Sequence, residues 1–176
     1  MLNMPSPLER AQRRQKARRL TPKMLSQVSS ALAVGVGDLT ILSLDATDDV
    51  VDAFRKGRAR ACNMRRETVM RTFSEEDRYQ VNTTLRDVLG QDTEDRWYLI
   101  STLSRVCGAI VVSKQQLVQH ALDLTSLDQD ECHAMSADTK TGLVVAYNTV
   151  ETSAGVGAQF ELMIWGIPAR GQNIRM

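Results

Sequence analysis

Aromatic residues are scarce in this chain, at 5% of its 176 residues, so a core must be built from Leu, Val, Ile, Ala and the eight Met. Histidine is scarcer still, with only His120 and His133. Neither lies in a G-x-S-x-G, H-E-x-x-H or Cys-Gly context, and a nucleophile usually needs such a base beside it. Cys62, Cys107 and Cys132 are odd in number, widely spaced and form no C-x-x-C pair. That pattern fits free thiols in a reducing compartment better than a disulfide scaffold or a zinc knuckle. No run approaches the roughly 18 apolar residues of a membrane span. The opening, MLNMPSPLERAQRRQKARR, is basic with no apolar region behind it, which argues against a secretory signal. A cytoplasmic protein, or one within a particle assembled in the cytoplasm, is expected, with no membrane contact.

What the chain does have is charge, laid out unevenly. The formal net charge is only +1, from 22 basic and 21 acidic residues. Yet residues 8–23 hold seven Lys/Arg and one Glu, and residues 55–71 hold the same, so each segment is a net +6. The remainder keeps 8 basic and 19 acidic residues, a net −11. Two basic segments on an acidic body can bind an external polyanion or the acidic surface of a neighbouring copy.

The second basic segment lies in DDVVDAFRKGRARACNMRRETVMRTF, residues 48–73. Val50, Phe54, Gly57, Ala61, Met64 and Thr68 recur at spacings of four and three, which predicts one long helix with a narrow buried stripe. Thr47 is placed as its N-cap, with Asp48, Asp49 and Asp52 in the first turns where the macrodipole favours anions. Taken at 100° per residue from Phe54, Arg58 and Arg65 fall beside the stripe, Arg55 and Arg66 at about 100° to 120°, and Lys56, Arg60 and Arg71 on the far side. Gly57 in the interior costs about 1 kcal/mol relative to Ala, so something must approach closely there or the helix is weak.

In chain order, residues 1–23 read as a basic arm, helical from Leu8 to Leu20 behind Ser6-Pro7. Only Leu8, Ala11, Ala17 and Leu20 offer it apolar contact. Thr21-Pro22 repeats the start signal for a separate short helix through Met24, Leu25, Val28 and Leu32, ended by Gly35 and Gly37. The G-V-G-D that follows lacks the preceding strand and later glycine of a phosphate-binding turn. Leu39–Leu44 is a short extended segment. Ser74-Glu75-Glu76-Asp77 opens a helix with Tyr79, Val81, Leu85, Val88 and Leu89 inside. Asp92 is expected to cap the most hydrophobic helix, through Trp97, Leu99, Ile100, Leu103, Val106 and Cys107. Ser113 caps KQQLVQHALDL, where His120 reads as a helix histidine facing with Leu117, Ala121 and Leu124. Residues 125–142 look polar and irregular, with one helical turn at Gln129–Met135. Leu143–Val150 and Phe160–Trp165 then alternate as a β-hairpin around SAGVG, and PARGQNIRM closes the chain as a basic tail.

The expected fold is therefore α+β, mainly α. It comprises an arm (1–23) and a single globular domain (24–176) of four to five helices (24–126), a hairpin (143–166) and a short tail (167–176). No cofactor is implied. Cys132-His133 with Asp128, Asp130 and Glu131 matches no usual zinc or calcium spacing, and the adjacent pair should diverge. The expected function is a non-enzymatic structural or assembly subunit, a phage or virus particle component being the leading instance, with copies of itself and other subunits as partners. The alternative is a nucleic-acid-binding coat, packaging or regulatory protein, and third a small enzyme with its site in the acidic loop 123–138. The candidate contact residues are Arg10, Arg13, Arg14, Lys16, Arg18, Arg19 and Lys23 on the arm, with Arg55, Lys56, Arg58, Arg60, Arg65, Arg66 and Arg71 on the second segment.

Overall fold

The structure is a computed structural model and describes residues 6–63, 68–152 and 155–167, apart from the side chains of Pro7, Arg10 and Thr152. Helix α1 (Pro7–Leu32) begins in a capping box. The Ser6 hydroxyl accepts from the Glu9 N–H at 3.3 Å, and Glu9 accepts from the Ser6 N–H at 2.6 Å. Pro22 lies inside α1 and does not restart it, so the two helices expected from the sequence are one of 26 residues. Proline forfeits one backbone bond, but Met24, Val28 and Leu32 beyond it are buried and Leu20 before it packs on the same core. The helix stops at Ala33, in the left-handed region at φ 53, ahead of Gly35.

After β1 (Thr40–Ile41), α2 (Leu44–Asn63) starts earlier and ends sooner than the expected helix over 48–73. Ser43 supplies the cap, its hydroxyl accepting from the Ala46 N–H at 3.3 Å. Thr47, expected in that role, is buried one turn inside and accepts from the Ala109 N–H at 2.9 Å. The far end of the expected helix is instead strand β2 (Thr68–Ser74), where Thr68, Val69, Thr72 and Phe73 are strand-favouring side chains. Helix α3 (Arg78–Leu89) buries Val81, Leu85, Val88 and Leu89, but leaves Tyr79 exposed.

The largest departure follows. The expected hydrophobic helix over 92–107 is strand β3 (Arg96–Ile100), a turn, and the single helical turn α4 (Ser104–Cys107). Trp97, Tyr98, Leu99 and Ile100 are all buried because the strand is covered on both faces. A run buried on both sides carries no period to distinguish it from a buried helix. Strand β4 (Ile110–Ser113) leads into α5 (Lys114–Thr125), capped by Ser113 in a capping box as expected. Glu131–Met135, read as irregular with a helical turn, belongs to strand β5 (Glu131–Ser136). Strands β6 (Gly142–Thr152) and β7 (Gly155–Trp165) form the expected hairpin.

The hairpin is not alone. The seven strands of the described residues form one antiparallel sheet in the order β1-β4-β3-β5-β6-β7-β2, which overturns the bundle of helices with a single hairpin. Among the described residues five helices flank it. On one face α1, α3 and α5 pack over Trp97, Leu99, Val112, Cys132, Leu143, Val145 and Leu162. On the other, α2 lays Val50, Val51, Phe54 and Ala61 over Tyr98, Ile100, Met135, Val144 and Trp165. The buried stripe of α2 thus faces the sheet and not a neighbouring helix. Among the described residues no helix is long and apolar enough to cross a membrane.

Candidate polyanion surface and basic cleft

Arg13 ties α1 to the rest of the chain. Its guanidinium donates in bidentate fashion to Asp48 of α2, at 2.8 Å for each bond, and its Nε donates to the Arg105 carbonyl of α4. Arg105 in turn pairs with Asp52 and, at 3.6 Å, with Asp48. Asp48 and Asp52, read from the sequence as serving the helix dipole, are therefore also ion-pair partners. With Met24, Val28 and Leu32 anchoring the other half, α1 is held at two places.

The outer face of α1 is different. Arg14, Lys16, Arg18, Arg19 and Lys23 are exposed and have no ion pair among the described residues. The side chain of Arg10 lies outside the described residues. Lys16, Arg19 and Lys23 stand at spacings of three and four along one row, and Arg14 and Arg18 form a second about 150° round the helix, so the two rows flank the exposed side of α1. From residue 10 to residue 37 the sequence contains no Asp or Glu, and Glu9, the one carboxylate of α1, is bonded to the Ser6 N–H at the N-terminus.

On α2 the cations divide. Arg58 is half-buried and reaches the sheet, with Nη2 at 3.4 Å from Glu131 Oε1 and Nη1 at 3.4 Å from His133 Nε2. His133 Nε2 also lies 2.5 Å from Glu131 Oε2, and its ring stacks obliquely on Phe54 with centroids 5.1 Å apart. Burial pushes the His133 imidazole below its ordinary value, against the pull of the Glu131 carboxylate. Cys132 points the other way into the core, as expected of adjacent strand residues, and burial pushes its thiol up to about 12. Among the described residues no group of three or more His, Cys, Asp or Glu is placed to hold a metal ion. Two acids of segment 123–138 are engaged elsewhere: Asp128 accepts from the Thr102 N–H and hydroxyl at 2.8 and 2.7 Å, and Asp138 pairs with Lys140 at 2.9 Å.

Lys56 and Arg60 are exposed, one turn apart, and line a cleft of about 480 Å³ between α2 and the sheet. Lys140 and Thr139, in the turn between β5 and β6, line it too, with Met135 and Trp165 contributing apolar surface. The Trp165 indole is wedged between two backbone segments: a Cβ at Gly57 or at Gly142 would overlap it. This is the close approach that the glycine in α2 implied. The Trp165 Nε1 atom is fully covered and has no acceptor among the described residues.

Of the remaining sequence candidates, Arg55 is exposed on α2 and Arg71 is exposed on β2. Arg65 and Arg66 lie outside the described residues. Lys140 and Trp165 went unmarked in the sequence because nothing there places the β5–β6 turn or the end of β7 beside α2; Gly57 was the one signal of a close neighbour. No protein-family model, curated protein or solved structure matches this chain.

Proposed function

We propose that this chain is a non-enzymatic nucleic-acid-binding component of a larger assembly, with the outer face of α1 as its contact surface. The observation that carries the reading is the set of five exposed cations without an ion pair among the described residues, Arg14, Lys16, Arg18, Arg19 and Lys23. They stand on a helix fixed at Arg13–Asp48 and at Met24. They span about 13 Å at 1.5 Å per residue. Cations presented on a fixed helix neutralise phosphates and release counterions, a term that depends on salt and not on base sequence. Binding to a duplex of arbitrary sequence should therefore weaken steeply as salt is raised. Replacing all five residues by Ala should lower affinity almost equally for every sequence and flatten the salt slope by about 0.9 for each phosphate that is no longer neutralised. No binding by the wild-type chain at low salt, or a loss confined to one base sequence, counts against the reading.

A second role, contact with another copy of the chain, is favoured by β2. Among the described residues this seven-residue edge strand pairs on one side only, with β7, and Met70 on it is 51% exposed. An open edge of this length is a template for strand pairing. Light scattering over a concentration series should show association that Met70→Lys reduces; a wild-type chain that stays monomeric removes this role.

A further inference from the structure

We infer that the cleft between α2 and the β5–β6 turn is a binding site for a phosphate monoester carried on an apolar or planar body, a mononucleotide being the simplest such ligand. Its volume of about 480 Å³ suits a small molecule. Lys56 and Arg60 approach from one wall and Lys140 from the other, and among the described residues no Asp or Glu lines it. Neither Lys56 nor Arg60 has an ion pair among the described residues. Three cations match a phosphate monoester, which brings about −1.5 to −2 charges and three acceptor oxygens. The Arg60 guanidinium can engage two of those oxygens at once, with the lysines acting as point charges.

The rest of the lining is what separates this site from a bare anion patch. Met135, Ala61 and Trp165 give the ligand body apolar contact. The Trp165 N–H does not open into the cleft, because Gly57 covers it, so the cations hold the charged end. Asp138 pairs with Lys140 from outside the lining set, at 2.9 Å. A bound phosphate would therefore share Lys140 with it, leaving Lys56 and Arg60 as the main contributors. Among the described residues nothing from α1 lines the cleft, so this site is separate from the polyanion surface proposed above.

Calorimetric titration of the 176-residue chain at low salt tests the assignment. The probes are AMP, inorganic phosphate, adenosine, and short oligonucleotides with and without a 5′-phosphate. AMP should bind saturably, inorganic phosphate should displace it, and adenosine should not bind. Lys56→Ala and Arg60→Ala should each weaken AMP about tenfold while melting like the wild type. In the five-alanine variant of α1, tighter binding of AMP than of the phosphorylated oligonucleotide assigns a free nucleotide; tighter binding of the phosphorylated strand than of both AMP and the unphosphorylated strand assigns a strand end, and either supports the site. The five-alanine variant of α1 should bind AMP as the wild type does. The assignment is overturned by absence of saturable binding to both phosphate esters, by adenosine binding as well as AMP, or by undiminished binding in Lys56→Ala and Arg60→Ala. Loss of AMP binding in the α1 variant would also overturn it, by placing the ligand on that helix.

Discussion

The indole of Trp165 occupies the space that a side chain at Gly57 would need, and it is this pair that seats α2 on the sheet. Trp165 is paired in register with Gly142 and Thr68 at the ends of its two neighbouring strands. Phe54, one turn before Gly57, packs against the same ring with centroids 5.3 Å apart. Gly57→Ala should gain about 1 kcal/mol of helix propensity and lose more than that to overpacking. A net destabilisation of about 1–2 kcal/mol in denaturant melts is expected. Combining it with Trp165→Phe should be non-additive, because the two residues share one space; additive costs would mean that they do not conflict.

Phe54 is buried against the sheet, while Lys56 and Arg60 are exposed. Phe54→Ala should cost about 3–5 kcal/mol from reduced transfer energy and a cavity. Lys56→Ala and Arg60→Ala should each change stability by less than about 0.5 kcal/mol. Urea melts of the three variants decide this; a cation as costly as Phe54 would mean that the flank of α2 serves the fold and not a ligand.

Arg13 and Asp48 are bonded at 2.8 Å with side chains 22% and 32% exposed. Hydrogen bonds between charged groups contribute about 1.5–3 kcal/mol, which partial exposure reduces, so Arg13→Ala should cost about 1–2 kcal/mol. Hydrogen exchange should quicken chiefly in the first half of α1, because Met24, Val28 and Leu32 still anchor the second. Arg14→Ala, on the outer face, should leave exchange unchanged.

His133 makes stability depend on pH. Burial holds its folded-state value below the usual 6.5, so the unfolded chain binds the proton more readily. Its contribution is fully present above 6.5 and is lost as pH falls from there through the lower folded value. Melts taken from about pH 7.5 down to about pH 5.5 should show falling stability, with a shallower fall in His133→Gln. An identical slope in the variant would show that other groups govern this range.

The sequence by itself determined the elements whose signals are local. Ser113 marks the start of α5, and the Ser74–Asp77 signal lies directly ahead of α3. The alternation in Leu143–Val150 and Phe160–Trp165 exposed the hairpin, because β6 and β7 pair across a short connection. The buried stripe of α2 was legible in Phe54 and Ala61, as was the excess of cations along α1. Each of these follows from a short-range pattern, a cap, a period or a charge count, that does not depend on what lies opposite.

Only the tertiary structure decided the sheet. Trp97–Ile100 is a strand because β4 and β5 bond its edges and helices cover both of its faces, and none of that is written in a short apolar run. Thr68–Ser74 is a strand because β7, some ninety residues later, supplies its partner. Pairing over such separations involves loop closure and burial together, and local propensity yields to it. The cleft has the same origin. Lys56 and Arg60 were visible as cations, but Lys140 and Trp165 join them only because the β5–β6 turn and the end of β7 meet under α2.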